Sequence, residues 1–274
     1  MADPLGPDDP QGAGDEVDAS RAPLMDHLVE LRRRLIIAFA ALGVGFFLCF
    51  FVAETIFNIL LAPYERAAGE SHDLQLIYTA PLEYFFTQVR LAAFGGFFLA
   101  FPVIAAQLYL FVAPGLYKNE KRAFLPFLAA TPILFTAGAA LVYFVVMPLA
   151  MRFALSFEQM GADGEVSIQL LARVSEYLSL ITTLIIAFGL SFQLPVILTL
   201  LARVGILGAD SLVKNRKYAI VGVFAFAAFM TPPDPISQLG LAAPILLLYE
   251  ISVWLVRAME RRAAAADDQP IASG

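Results

Sequence analysis

Long apolar runs alternate with shorter polar segments along most of the chain. Six of these runs are apolar enough, with few internal charges, to be typical of membrane-spanning helices. They cover residues 35–52, 85–109, 123–147, 177–202, 218–230 and 236–256. The pattern therefore predicts an all-α membrane protein with six transmembrane helices.

Prolines fall inside several of the predicted spans. Pro102 lies in the second span, Pro126 and Pro132 lie near the start of the third, and Pro195 lies in the fourth. Proline removes one backbone hydrogen bond and disrupts the preceding turn of a helix. Several helices of the bundle are therefore expected to be kinked.

The fifth and sixth predicted spans are expected to be short. Only residues 231–235, three of them proline, separate the two runs, so the connection is a tight turn. A helix of 13 residues covers about 20 Å, whereas the hydrocarbon core of a bilayer is about 30 Å thick. Both helices should stop short of one membrane face unless the bilayer thins there. Such thinning could help a partner helix to dock or a cargo to pass.

The remaining segments are polar or mixed. Residues 1–23 and 263–274 are rich in small and acidic residues and are expected to be disordered, which leaves 24–262 as the transmembrane domain. An amphipathic helix on the membrane surface is expected to lead into the first span. Short helices are plausible within residues 53–84, and a second outer loop is predicted at 148–175.

Composition agrees with a membrane protein. Hydrophobic residues make up 59% of the chain and charged residues 15%, whereas soluble domains carry about 25% charged residues. The single cysteine, Cys49, cannot form an intrachain disulfide. The sequence has no metal-ligand cluster, phosphate-binding glycine loop or nucleophile–base set. We therefore expect no metal, cofactor or enzymatic activity. The basic residues cluster at predicted membrane edges, which does not favour a nucleic-acid partner.

The distribution of basic residues predicts the orientation. With six spans, one side collects 14 of the 18 lysines and arginines and the other side collects 4. By the positive-inside rule, both termini are cytoplasmic. Residues 32–34 are three arginines before an apolar run, as in a secretory signal. That run is longer than a signal core and no cleavage site follows, so a retained anchor is predicted.

Two acids on the predicted cytoplasmic side, Glu30 and Glu120, are surrounded by bases. They could simply be solvated acids that balance their neighbours. Alternatively, each carboxylate could accept a bidentate hydrogen bond from the guanidinium group of an arginine in a partner. Phe111, Leu116 and Tyr117 add apolar surface beside Glu120, which suits an amphipathic peptide.

A few polar residues lie inside or beside the spans. Gln193 interrupts an apolar run, and an unpaired amide in lipid costs a few kcal/mol. It should therefore face another helix of the chain, a cavity or a partner. Glu250, in span six, could extend toward the interface or pair with a cytoplasmic base. Glu83 and Arg90 resemble interfacial anchors, and Asp234 resembles a turn former.

Five ordered motifs resemble the TatC family, the multi-spanning subunit of the twin-arginine translocase. The resemblance extends over almost all of residues 23–262. The motifs are HLVELRRRL (27–35), FPVIAAQLYLFVAPGLYKNEKR (101–122), YFVVMPLA (143–150), FGLSFQLPV (188–196) and MTPPDPISQLGLAAPILLLYE (230–250).

This resemblance implies a concave six-helix receptor in the cytoplasmic (inner) membrane, with both termini in the cytoplasm. Such receptors bind twin-arginine signal peptides of folded precursors. They assemble with other copies and with single-span TatA and TatB partners, and the proton-motive force drives transport. The family's signal-binding acid matches Glu120, its nearby aromatic matches Phe111 and its amino-terminal acid matches Glu30. Its polar position in span four, often Glu, matches Gln193, which could bond a polar residue of a partner helix.

The resulting hypothesis is that two cytoplasmic carboxylates bind the paired arginines while the apolar part of the peptide lies along a concavity in the membrane. A rival class is a secondary transporter with a polar site at Gln193. The lack of an internal repeat and the scarcity of buried ionisable groups disfavour that class. An intramembrane enzyme is a third class, and it lacks any catalytic set.

Overall fold

The structure of the chain, a computed structural model, describes residues 11–69, 76–112, 121–159, 169–231 and 235–267. Helices account for most of these ranges, and two short strands, β1 (Leu76–Ile77) and β2 (Ala172–Arg173), pair in parallel. The helices are α1 (Gln11–Phe51), α2 (Ala53–Ala68), α3 (Glu83–Val112), α4 (Lys121–Leu141), α5 (Met147–Leu155), α6 (Val174–Ser191), α7 (Leu194–Arg203), α8 (Ala209–Lys214), α9 (Arg216–Met230) and α10 (Pro235–Asp267).

Five helical segments in the described residues are long and apolar enough to cross a membrane. They are His27–Phe51, Glu83–Phe111, Pro126–Leu155, Val174–Arg203 and Gln238–Arg262. The remaining predicted span, the fifth, corresponds to α9, which has only 15 residues. The prediction of an all-α, multi-pass membrane protein is confirmed, and five of the six expected crossings have full length.

The predicted short fifth helix is observed, but the prediction that helix six is short is wrong. At about 1.5 Å per residue, α9 is about 22 Å long, whereas α10 has 33 residues. Helix α10 is therefore longer than α9 and extends beyond it. Arg216, the first residue of α9, donates a 2.6 Å hydrogen bond from Nη2 to Oε2 of Glu250. Only the part of α10 before Glu250 therefore lies beside α9, and this paired part is as short as predicted.

Span three extends further than predicted, because the helix continues past Pro148. A π-helical turn, Val142–Val146, joins α4 to α5, and Pro148 occupies the first turn of α5. Proline is tolerated there because the first turn needs no N–H donor. The helix therefore continues to Leu155, and the predicted loop over 148–175 begins later than expected. In span four α6 ends at Ser191 and α7 begins at Leu194, just before Pro195, so the structure has a short break where the sequence predicts a kink. Pro102 lies inside α3, which is unbroken.

Both ends of the described chain are helical. Helix α1 contains residues 11–23 and joins the expected surface helix to span one without a break. Helix α10 contains residues 263–267. The division of the chain into a membrane domain with two disordered tails stays a prediction. The helices α1 and α10 extend into both of the segments that were predicted to be disordered.

Glu83 organises the side of the bundle that carries α2 and the two strands. Its Oε1 accepts a 2.5 Å hydrogen bond from Oγ of Ser175, and its Oε2 accepts one of 2.8 Å from the backbone N–H of Thr79. Arg173 adds a 3.3 Å ion pair to Oε2. These bonds join the start of α3 to the start of α6 beside the strand pair. Glu83 was predicted to be an anchor at the membrane interface, and it also holds these two helix starts together.

Helix α6 lies in the middle of the core, with Leu178, Ile181, Leu184 and Phe188 all at most 1% exposed. Helix α1 is peripheral, because only 11% of the residues in its most apolar stretch are buried. It packs on α3 through glycines: a Cβ at Gly96 would lie 2.6 Å from the backbone nitrogen of Phe46. Small residues permit this kind of close helix contact in a membrane.

Candidate functional site

Glu30 lies on α1 and forms an ion pair with Arg34, one turn further along the same helix. Both Nε and Nη2 of Arg34 donate to Oε1 of Glu30, the Nε contact at 3.1 Å. The other carboxylate oxygen, Oε2, accepts no hydrogen bond from the described residues. The Glu30 side chain is 35% exposed, so an incoming donor can reach it from solvent.

Phe111, near the end of α3, stacks on His27 of α1. The two ring centroids lie 4.3 Å apart, and the planes are inclined by 23°. His27 is exposed and Phe111 is half-buried, so the stack lies at the surface. The stack fixes the start of span one against the end of span two.

These contacts bring one predicted acid and one predicted aromatic residue together. His27 and Glu30 are three residues apart in α1, which places them on the same helix face. We call His27, Glu30, Arg34 and Phe111 the amino-terminal patch. The patch combines a carboxylate, an exposed aromatic stack and a base, which suits a peptide that carries both guanidinium groups and apolar side chains.

Three other predicted site residues, Leu116, Tyr117 and Glu120, lie outside the described residues, and their roles stay predictions. The sequence places them between α3 and α4. The chain leaves α3 immediately after Phe111 and Val112 and enters α4 at Lys121. The segment that carries Glu120 is therefore tied at one end to the amino-terminal patch.

Gln193 lies at the junction of α6 and α7 and is 5% exposed. Its Nε2 donates to the backbone carbonyls of Thr131, at 3.1 Å, and Gly189, at 3.2 Å. The Thr131 hydroxyl lies 3.3 Å from the Tyr109 hydroxyl, so three spans contribute to this polar cluster. The predicted contact to another helix of the chain is observed. Oε1 of Gln193, however, is buried without a hydrogen-bond partner among the described residues.

Sequence reasoning missed the partners of two site residues. The stack of His27 on Phe111 joins residues from different spans, and no local pattern indicates it. The Glu30–Arg34 pair could have been found, because a spacing of four residues is typical of helical ion pairs. Two alternatives were predicted for Glu250, and the structure shows the second: Glu250 forms an ion pair with a base, Arg216.

In the part of the chain that the structure describes, no group of three or more metal-ligating side chains occurs.

Comparisons with known proteins agree with this architecture. The profile of the family described as "Sec-independent protein translocase protein (TatC)" matches residues 26–244. The TatC proteins of Magnetococcus marinus and Rickettsia prowazekii are 48% and 42% identical to this chain. Those alignments cover 89% and 86% of the chain, and 87% and 92% of the two relatives.

A solved structure gives the same result. The crystal structure of a twin-arginine translocase receptor, TatC, superposes with a TM-score of 0.73 and 38% identity, covering 85% of this chain and 98% of that one. A second crystal structure of that receptor, in the detergent DDM, gives a TM-score of 0.73 at 37% identity and covers 84% of this chain and 99% of the other. With the helix order and motifs described above, these matches show that the chain belongs to the TatC family of Sec-independent protein translocase subunits.

Proposed function

We propose that this chain is the receptor and core subunit of a twin-arginine translocase, and that it binds the signal peptides of folded precursor proteins. The observation that carries the proposal is the family match over residues 26–244. The amino-terminal patch supports it, because an accessible carboxylate lies beside an aromatic stack on one surface. Glu30 and Glu120 are the proposed acceptors for the paired arginines, and Phe111, Leu116 and Tyr117 are the proposed apolar contacts.

The Glu30–Arg34 pair suggests how recognition proceeds at the first acid. Arg34 neutralises Glu30 through a single carboxylate oxygen, which reduces the cost of keeping the acid near a membrane surface. An arginine of a signal peptide can bind the second oxygen or displace Arg34. Exchange of one guanidinium for another leaves the number of charged hydrogen bonds nearly unchanged. We therefore infer that Glu30 contributes less binding free energy than a carboxylate without an internal partner would contribute.

We further propose that the chain lies in the cytoplasmic membrane with both termini in the cytoplasm, as the distribution of its basic residues indicates. Single-span TatA- and TatB-type proteins and other copies of the chain are the proposed partners. The proton-motive force is the proposed energy source, and no covalent chemistry is assigned to this chain.

The proposal is tested by export of a folded fluorescent reporter that carries a twin-arginine signal peptide. Cells depleted of their own TatC protein and supplied with this chain should recover most of the exported reporter. A reporter with two lysines in place of the paired arginines is the control, and it should stay inside the cell. Equal export of both reporters, or no export with this chain present in the membrane, would contradict the proposal.

Gln193 is the proposed contact for a polar residue of a partner helix, because its buried Oε1 lacks a donor within the described residues. Hydrogen bonds between membrane helices contribute about 0.6–1.7 kcal/mol, so Gln193→Leu should weaken partner association about 3- to 20-fold. The measurement is co-purification of TatA- and TatB-type partners with the tagged full chain in mild detergent.

Ser191→Ala is the matched control for this variant. Ser191 is also buried in the same turn, but its hydroxyl already donates to the carbonyl of Ala187 at 2.7 Å. Its removal should leave co-purification unchanged. Thermal unfolding of each purified variant separates a loss of partner contact from a loss of fold. Equal partner recovery for Gln193→Leu and Ser191→Ala would show that Gln193 serves only its own bundle.

A further inference from the structure

An open apolar cavity of about 490 Å³ lies among α1, α2, α3 and the α4–π segment. This volume falls within the range of about 300–1,000 Å³ that is usual for ligand pockets. Cys49, Ile59, Phe94, Leu99 and Phe144 are among its lining residues. The cavity belongs to the half of the bundle near the end of α1 and is separate from the amino-terminal patch.

The polar groups around the cavity already have partners inside the chain. The Thr136 hydroxyl donates to the carbonyl of Pro132 at 2.8 Å, and the Tyr143 hydroxyl donates to the carbonyl of Ile59 at 2.9 Å. An occupant therefore needs to supply no hydrogen bond to either group. Leu99 is 57% exposed and Phe144 is 62% exposed, so the cavity is open at the surface of spans that face the bilayer. Hydrocarbon is the solvent there.

Arg66 of α2 lies beside the cavity. The guanidinium carbon of Arg66 lies 5.3 Å from the ring centroid of Tyr143 and 5.6 Å from that of Phe144, and both rings line the cavity. Arg66 is seven residues beyond Ile59 on α2, which is two helical turns and about 10 Å along the same face. The guanidinium is exposed and forms no salt bridge with the described residues. Its neighbour Glu65 is also exposed, on the adjoining face of α2.

We propose that this cavity binds one acyl chain of an anionic phospholipid, and that Arg66 binds the phosphate of the same molecule. The apolar lining takes the hydrocarbon, and the guanidinium offers a planar pair of donors to the phosphate oxygens. The rings of Tyr143 and Phe144 hold the cation at the boundary between the two parts. The bound lipid would fill the space between α1 and α4 that protein side chains leave open.

The test uses the purified full chain in phosphatidylcholine vesicles with a small fraction of phosphatidylglycerol. The phosphatidylglycerol carries a photoreactive group midway along one acyl chain, and mass spectrometry maps its crosslinks. In the wild-type protein the crosslinks should concentrate on the cavity residues. Arg66→Gln should lower their yield about fivefold, which is less than a buried charged hydrogen bond would give because Arg66 is exposed. Ala140→Phe, which fills the cavity, should abolish them.

Arg152→Gln is the matched control, because Arg152 is an exposed arginine at the end of α5 and does not stand over the cavity rings. It should leave the crosslink yield unchanged. The same probe on phosphatidylcholine should label the cavity less and should not respond to Arg66→Gln. Equal labelling by both headgroups, an equal yield in Arg66→Gln and wild type, or displacement of the probe by a twin-arginine signal peptide without any Arg66 effect would each overturn the proposal. The last result would assign the cavity to the peptide.

Discussion

A Glu120→Gln variant is expected to bind a twin-arginine signal peptide about 10- to 150-fold more weakly than the wild-type chain. A charged hydrogen bond contributes on the order of 1.5–3 kcal/mol, and each 1.4 kcal/mol changes affinity tenfold. Glutamine keeps the size of the side chain but removes the charge and one acceptor oxygen. The measurement is photocrosslinking of a signal peptide, titrated against membranes that contain each variant.

Glu65→Gln is the control for this experiment. Glu65 is an exposed acid on α2, at the far end of span one from Glu30. Its substitution removes the same charge from the chain without changing the proposed site, so crosslinking should equal that of the wild type. Wild-type crosslinking in Glu120→Gln would rule out Glu120 as the contact. It would leave the family membership intact, because that rests on the whole chain.

Glu30→Gln is expected to weaken binding by less than the loss of one full charged hydrogen bond would in the same assay. The Glu30 carboxylate already accepts two contacts from Arg34. Binding of a signal-peptide arginine therefore replaces part of an existing ion pair, and the net gain is smaller than for an unpaired acid. The difference between the measured loss and the loss expected for one full charged hydrogen bond thus measures how much Arg34 reduces the contribution of Glu30.

The sequence predicts most of the fold because membrane helices leave a direct signature in apolar runs. It fails where helix length depends on a neighbour. Helix α10 extends past α9, although the apolar run that follows Pro235 gives no sign of where the pairing stops. The Arg216–Glu250 ion pair marks that point, and two residues 34 positions apart are not joined by any local pattern.

Prolines show a second limit of sequence reasoning. Pro148 and Pro195 both occupy the first turn of a helix, yet a π turn keeps the chain helical before Pro148 while a short break separates α6 from α7 before Pro195. The sequence identifies both positions as unable to donate a hydrogen bond. Packing against the surrounding helices decides which response follows, and packing is not visible in a single sequence.

The candidate site is predicted less completely than the fold. Polarity or charge indicates Glu30 and Gln193, because each is unusual for its surroundings, and Phe111 is indicated by its place near Glu120 and by the family resemblance. Their partners come from elsewhere: His27 stacks on Phe111, and the carbonyl of Thr131 accepts from Gln193. The amino-terminal patch exists because α1 packs along α3, so its geometry depends on the contact between those two helices.

That dependence makes Gly96 a sensitive position for the amino-terminal patch. In a Gly96→Ala variant the new Cβ would lie 2.6 Å from the backbone nitrogen of Phe46 and 2.8 Å from its Cα. Backbone atoms of α1 cannot move aside as a flexible side chain would, so α1 must shift away from α3. Overpacking of this kind costs about 1–3 kcal/mol. We expect a lower thermal unfolding temperature in detergent and weaker signal-peptide crosslinking, because Glu30 moves relative to Phe111.

Gly43→Ala, on α1, is the matched control. A Cβ at Gly43 meets no described atom within 4 Å, so the substitution should be neutral or slightly stabilising, since alanine favours helix more than glycine does. Both variants make the same chemical change inside an apolar span, and only one places it in the contact between α1 and α3. Equal unfolding temperatures for the two variants would show that α1 is held by contacts other than the close approach at Gly96. A stable Gly96→Ala protein with normal crosslinking would separate the amino-terminal patch from the α1–α3 contact.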